Sequence, residues 1–74
     1  MKARKNESIV CCRQTLGSFL ADVQDGAAIT SQDLAMEARP DDATSYTCKK
    51  CGAPFAVMTR PNSWRVHTAR GWLE

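Results

Sequence analysis

A chain of 74 residues makes one small domain with little apolar surface to bury, so reinforcement by a metal, disulfides or a partner is expected. Its 43% hydrophobic and 24% charged residues exclude a disordered tail, and a net charge of +2 is only mildly basic. That charge is unevenly spread, +3 over residues 1–21, −5 over 22–42 and +4 over 43–74, which suits an acidic partner met through one end.

The start, "MKARKNESIV", is basic but has no apolar segment behind it, so no secretory leader is expected. No apolar run approaches the roughly 18 to 20 residues of a membrane span. The expected location is the cytoplasm, where disulfides are rare. Residues 1–74 read as a single domain, with 1–7 flexible, 8–40 helical and 44–74 forming a cysteine knuckle and hairpin.

"NESIVCCRQTLGSFLADVQDG" predicts an amphipathic helix, because Ile9, Cys12, Leu16, Phe19, Leu20 and Val23 recur at spacings of three and four. Asn6 or Ser8 would cap it and Gly26 would end it. Gly17 inside it would cost about 1 kcal/mol relative to Ala. Cys12 would lie on the apolar stripe and Cys11 off it. "AAITSQDLAMEARPDD" predicts a second, short helix, capped by Thr30 or Ser31, favoured by Asp33 near its start and stopped by Pro40.

From Ser45 the pattern changes to strands. "SYT" leads into Cys48, while "PFAVMT" and "SWRVHT" flank the turn "RPNS". A hairpin then pairs Phe55 with Thr68, Val57 with Val66 and Thr59 with Trp64, and on its other side Ala56 with His67 and Met58 with Arg65. Phe55, Val57, Trp64 and Val66 form one apolar face. The tail "ARGWLE" adds a turn at Gly71 and packs Trp72 and Leu73.

The motif that carries chemistry is "YTCKKCGAPF". A redox pair would need its second cysteine in the first turns of a helix, and Gly52 and Pro54 break one. Two cysteines separated by two residues and followed by glycine let two thiolates converge on one ion. Residues Cys48–Gly52 resemble one knuckle of a zinc ribbon, and the resemblance implies a structural Zn2+. Reduced free thiols and a disulfide remain alternatives.

Four ligands complete such a site, and no second Cys-x-x-Cys is present. On a helix Cys11 and Cys12 would point about 100° apart, so only one would reach the ion. The preferred ligand set is therefore Cys48, Cys51, Cys12 and His67, clamping the first helix to the hairpin. Cys12 as a buried core thiol, His67 as a surface residue and a metal shared between two chains stay open.

No phosphate-binding loop, no nucleophile–His–acid arrangement and no carboxylate near the knuckle are present, so neither catalysis nor a small-molecule substrate is expected. Lys49, Lys50, Arg60, Arg65 and Arg70, with Trp72, are the candidate partner-binding residues, since cations neutralise phosphates and exposed aromatics stack on bases. The expected fold class is α+β, two helices packed on a hairpin. Its expected core is Ile9, Leu16, Phe19, Leu20, Val23, Leu34, Phe55, Val57, Trp64 and Val66. The expected function is regulatory, through nucleic acid or transcription machinery. The alternatives are an adaptor or inhibitor of a larger nucleic-acid-processing complex without nucleic-acid contact, and a thiol-based redox sensor.

Overall fold

The computed structural model describes residues 2–36 and 44–73. Among them the chain is almost all antiparallel sheet, curled into a half-barrel, with no helix of seven or more residues. The strands are β1 (Ser8–Cys11), β2 (Gln14–Phe19), β3 (Leu34–Met36), β4 (Ser45–Thr47), β5 (Pro54–Arg60), β6 (Ser63–Thr68) and β7 (Gly71–Leu73). They lie in the order β3-β2-β1-β6-β5-β4, with β7 paired to β6.

The expected α+β class is thus corrected, and the reason lies in the first half of the chain. Ser8–Phe19 forms the β1–β2 hairpin and not a helix. β-Branched Ile9, Val10 and Thr15 fit a pleated strand better than a helix. Gly17, a liability in a helix, is required in the sheet. It pairs with Met36, and a Cβ there would collide with the Ala35 carbonyl oxygen. The three-and-four spacing was coincidental: Ile9 and Phe19 are buried, but Leu20, which the helical stripe turned inward, is 52% exposed.

The second expected helix shortens to one 3-10 turn, Ser31–Asp33. Thr30 is its N-cap residue, and the Asp33 carboxylate closes the turn. The Thr30 backbone N–H donates to Asp33 Oδ2 at 2.7 Å and the Thr30 hydroxyl donates at 3.0 Å. Leu34 then turns extended and continues into β3, where sheet pairing with β2 outcompetes helix propagation. Pro40, the expected stop, lies outside the described residues.

The second half follows its pattern more closely. β4 and the β5–β6 hairpin stand where expected, and Arg60 pairs with Ser63 across Pro61 and Asn62. Asn62 has φ 61°, so the turn follows the type II pattern of proline followed by a left-handed residue. A bulge between Met58 and Arg60 then shifts the register by one residue. Ala56 pairs with Val66, Val57 with Arg65 and Met58 with Trp64. Val57 therefore leaves the expected apolar face and is only half-buried.

The core holds Ile9, Phe19, Val23, Ile29, Leu34, Tyr46, Phe55, Ala56, Trp64, Val66 and Leu73. Leu16 is packed against it at half burial. The segment before β1 is tied down. Ala3 and Val23 exchange backbone hydrogen bonds at 3.2 and 2.8 Å, and the Lys5 N–H donates to Asp22 Oδ1 at 2.6 Å. Arg70, after β6, donates to both Glu7 carboxylate oxygens at 2.7 and 2.8 Å and to the Lys2 carbonyl at 2.6 Å.

Candidate metal centre

Two loops meet at one end of the half-barrel. The first joins β1 to β2 through Cys12 and Arg13, whose φ values are 52° and 62°. Positive φ at both central residues is the type I′ pattern, whose twist matches the flanking strands. The turn normally carries Asn or Gly, so Cys and Arg here hold a costly backbone conformation. In this turn adjacent cysteines do not diverge as they would on a helix. The Cys11 and Cys12 Sγ atoms lie 3.8 Å apart.

The second loop is the knuckle after β4. The Gly52 N–H donates to the Cys48 carbonyl at 2.8 Å and the Cys48 N–H donates to the Ala53 carbonyl at 2.9 Å. Gly52 has φ 74°, the left-handed conformation that glycine adopts without a Cβ penalty. This hydrogen-bonded turn directs Cys48 and Cys51 to the same side.

The loops bring Cys11 Sγ to 3.5 Å from Cys51 Sγ, and all four Sγ atoms of Cys11, Cys12, Cys48 and Cys51 lie within 4.8 Å of one another. A tetrahedral Zn–S bond of about 2.3 Å requires sulfurs about 3.8 Å apart. The four thiols are thus close enough to hold a metal ion, and an all-sulfur donor set suits zinc or iron. Cys48 is buried, Cys11 is half-buried, and Cys12 and Cys51 are exposed.

The thiols also polarise one another. Cys51 is drawn down to about 7, first by a hydrogen bond from Cys12, then by one from the Ala53 N–H and one from Cys11. Cys12 is pushed up to about 12, chiefly because it donates to Cys51, and Cys11 is raised for the same leading reason. Cys51 is therefore the member of the group disposed to carry negative charge.

Of the expected ligands, Cys12, Cys48 and Cys51 converge, and Cys11 is the fourth member of the cluster. His67 stands on β6 outside that group. Its Nδ1 lies 2.6 Å from the Val10 carbonyl, donating to it and pinning β1 one residue before Cys11. Among the described residues β1 and β6 share only the Ile9–Thr68 pair, and this side chain adds a second tie between them.

Among the expected binding residues, Lys49 and Lys50 are exposed on the knuckle and Arg60 is exposed beside the β5–β6 turn. The Arg65 guanidinium lies 5.1 Å from the centre of the Trp72 ring, and His67 meets that ring edge-on at 5.3 Å. Trp72 is 36% exposed, whereas Trp64 is buried. Arg70 is engaged with Glu7 and Lys2, as above. Arg13, outside the expected set, stands next to Cys12 in the hairpin turn. The run of β-branched residues ahead of "CCRQ" was the available signal.

No family model, curated protein or solved structure matches this chain. Among the described residues, no helix is long and apolar enough to cross a membrane.

Proposed function

We propose that the chain is a small, non-catalytic regulatory protein built around a structural Zn2+ held by Cys11, Cys12, Cys48 and Cys51, and that it binds single-stranded nucleic acid. Four thiolates complete a tetrahedron and leave no position for an activated water, so the metal's role is to fasten the fold. Four thiolates holding a metal suit a reducing compartment such as the cytoplasm.

The observation that carries the nucleic-acid reading is the Arg65–Trp72–His67 group on β6 and β7. An exposed indole flanked by a guanidinium offers a stacking platform beside a phosphate-neutralising charge. Lys49, Lys50 and Arg13 add charge near the metal loops. Anisotropy of labelled oligo-uridine and oligo-thymidine tests the reading. Binding should fall steeply between about 50 and 200 mM salt. Trp72→Ala should weaken it about tenfold, as expected for loss of one stacked base. Absence of binding at low salt overturns this function.

A further inference from the structure

Among the described residues the half-barrel is open along one seam. β3 and β4 are the two ends of the strand order, and among the described residues neither pairs with a second strand. A groove of about 320 Å³ lies between the seam's walls, Gln14, Thr15, Leu16 and Met36 on one side and Tyr46, Thr47, Lys49 and Phe55 on the other. Both walls end in the metal loops. Gln14 follows the Cys12–Arg13 turn directly, and Lys49 lies inside the knuckle.

Three features say what fits. First, Leu16 and Met36 are half-buried, leaving apolar surface to be covered. Second, Tyr46 lines the opposite wall at only 7% exposure, so the open apolar surface of the groove lies on the Leu16 and Met36 side. Third, Lys49 in the groove, with Lys50 and Arg13 on the adjoining loops, makes this end cationic. Tyr46 and Phe55 are buried, with 7% and 6% exposure, so they offer no platform for a nucleobase.

We propose that the seam groove docks an extended, acidic peptide segment of a partner protein. The segment lies along the terminal strands, where strand addition supplies backbone hydrogen bonds. One of its apolar side chains sits against Leu16 and Met36, and its carboxylates face Lys49, Lys50 and Arg13. This site goes beyond the nucleic-acid reading and shares with it the metal centre that brings the two walls together and the cations Lys49, Lys50 and Arg13.

The test is a titration of the 15N-labelled full chain, purified with its metal, with a Val-Glu repeat peptide of roughly ten residues, followed by amide shifts. The controls are a Val-Lys repeat and oligo-uridine. The expected result is saturable shifts at Leu16, Met36 and Thr47 with the acidic peptide alone, accompanied by Lys49. Lys49→Glu should weaken binding at least about fivefold by reversing the charge. Thr47→Trp, at an exposed position lining the groove, should block it while the dispersed sheet spectrum persists. No shifts with the acidic peptide, or equal shifts with the Val-Lys peptide, overturns the proposal. Shifts at Leu16, Met36 and Thr47 from oligo-uridine instead would hand the groove to nucleic acid and overturn it too. Failure of the nucleic-acid reading would appear separately, as unmoved Trp72 signals with oligo-uridine while the peptide still shifts the groove.

Discussion

The sulfurs of Cys11 and Cys51, 40 positions apart in the chain, stand 3.5 Å from each other. Neither belongs to the same hairpin as the other. Their approach requires both loops to be correctly built, so the cluster reports on the whole fold. Protein purified without a tag or chelator should contain about one zinc per chain by elemental analysis. Cys48→Ser and Cys51→Ser should lower zinc affinity by at least about a hundredfold, and so should Cys11→Ser and Cys12→Ser. His67→Ala should leave the stoichiometry unchanged. Loss of zinc in the His67 variant with retention in the Cys11 variant would refute the four-thiolate set.

His67 should matter to stability through Val10. Removing the imidazole orphans a carbonyl on β1 and loosens its junction with β6. His67→Ala is expected to cost about 1–2 kcal/mol in urea unfolding at constant metal load.

Gly17→Ala should be harmful although alanine is the better helix former. Its Cβ would collide with the Ala35 carbonyl oxygen, backbone that cannot rotate away. A loss of about 1–3 kcal/mol is expected, read as a lower thermal midpoint. A stabilised variant would revive the helical reading of this segment.

Arg70 is expected to act in folding. Arg70→Ala removes its bonds to Glu7 and the Lys2 carbonyl. It should reduce stability by about 1 kcal/mol, since the pair is only partly shielded from solvent, and leave oligonucleotide affinity within about twofold.

In metal-free protein near neutral pH, iodoacetamide should label Cys51 before Cys12. Both are exposed, but Cys51 is drawn down to about 7 and Cys12 is pushed up to about 12. The thiolate is the nucleophile, so the order follows charge and not access. Linkage has opposite signs for the two. The Cys51 contribution to stability is present above the ordinary value of 9.0 and is lost as pH falls through about 7. The Cys12 contribution is present below 9.0 and is lost as pH rises through about 12. Peptide mapping after brief alkylation, and urea midpoints across pH, check both statements.

What the sequence disclosed and what it hid divide near residue 44. Cys48, Cys51 and Gly52 announce a knuckle because local geometry alone makes it, and Pro61–Asn62 announces a turn for the same reason. Even there the bulge after Met58 was invisible, since nothing local marks it, and it moved every pair by one. In the first half, local signals conflicted. The spacing of Ile9, Leu16 and Phe19 obeyed a helical period, while Ile9, Val10, Thr15 and Gly17 favoured a strand. Long-range pairing decided between them, with β2 held by β1 and β3. The error spread to the site. A helix separates Cys11 from Cys12, so one was discarded and His67 was enlisted to fill the gap.

In the sheet, β1 and β4 are not neighbours, because β6 and β5 lie between them. Yet the cysteine cluster joins the end of β1 to the knuckle that follows β4. It is a chord drawn across an arc of four strands. An arc of fixed length takes its radius from its chord, so the size of an ion held by the four thiols would set the curvature of the half-barrel. A cation with longer metal–sulfur bonds would flatten the curve and widen the mouth opposite, and a shorter bond would tighten it.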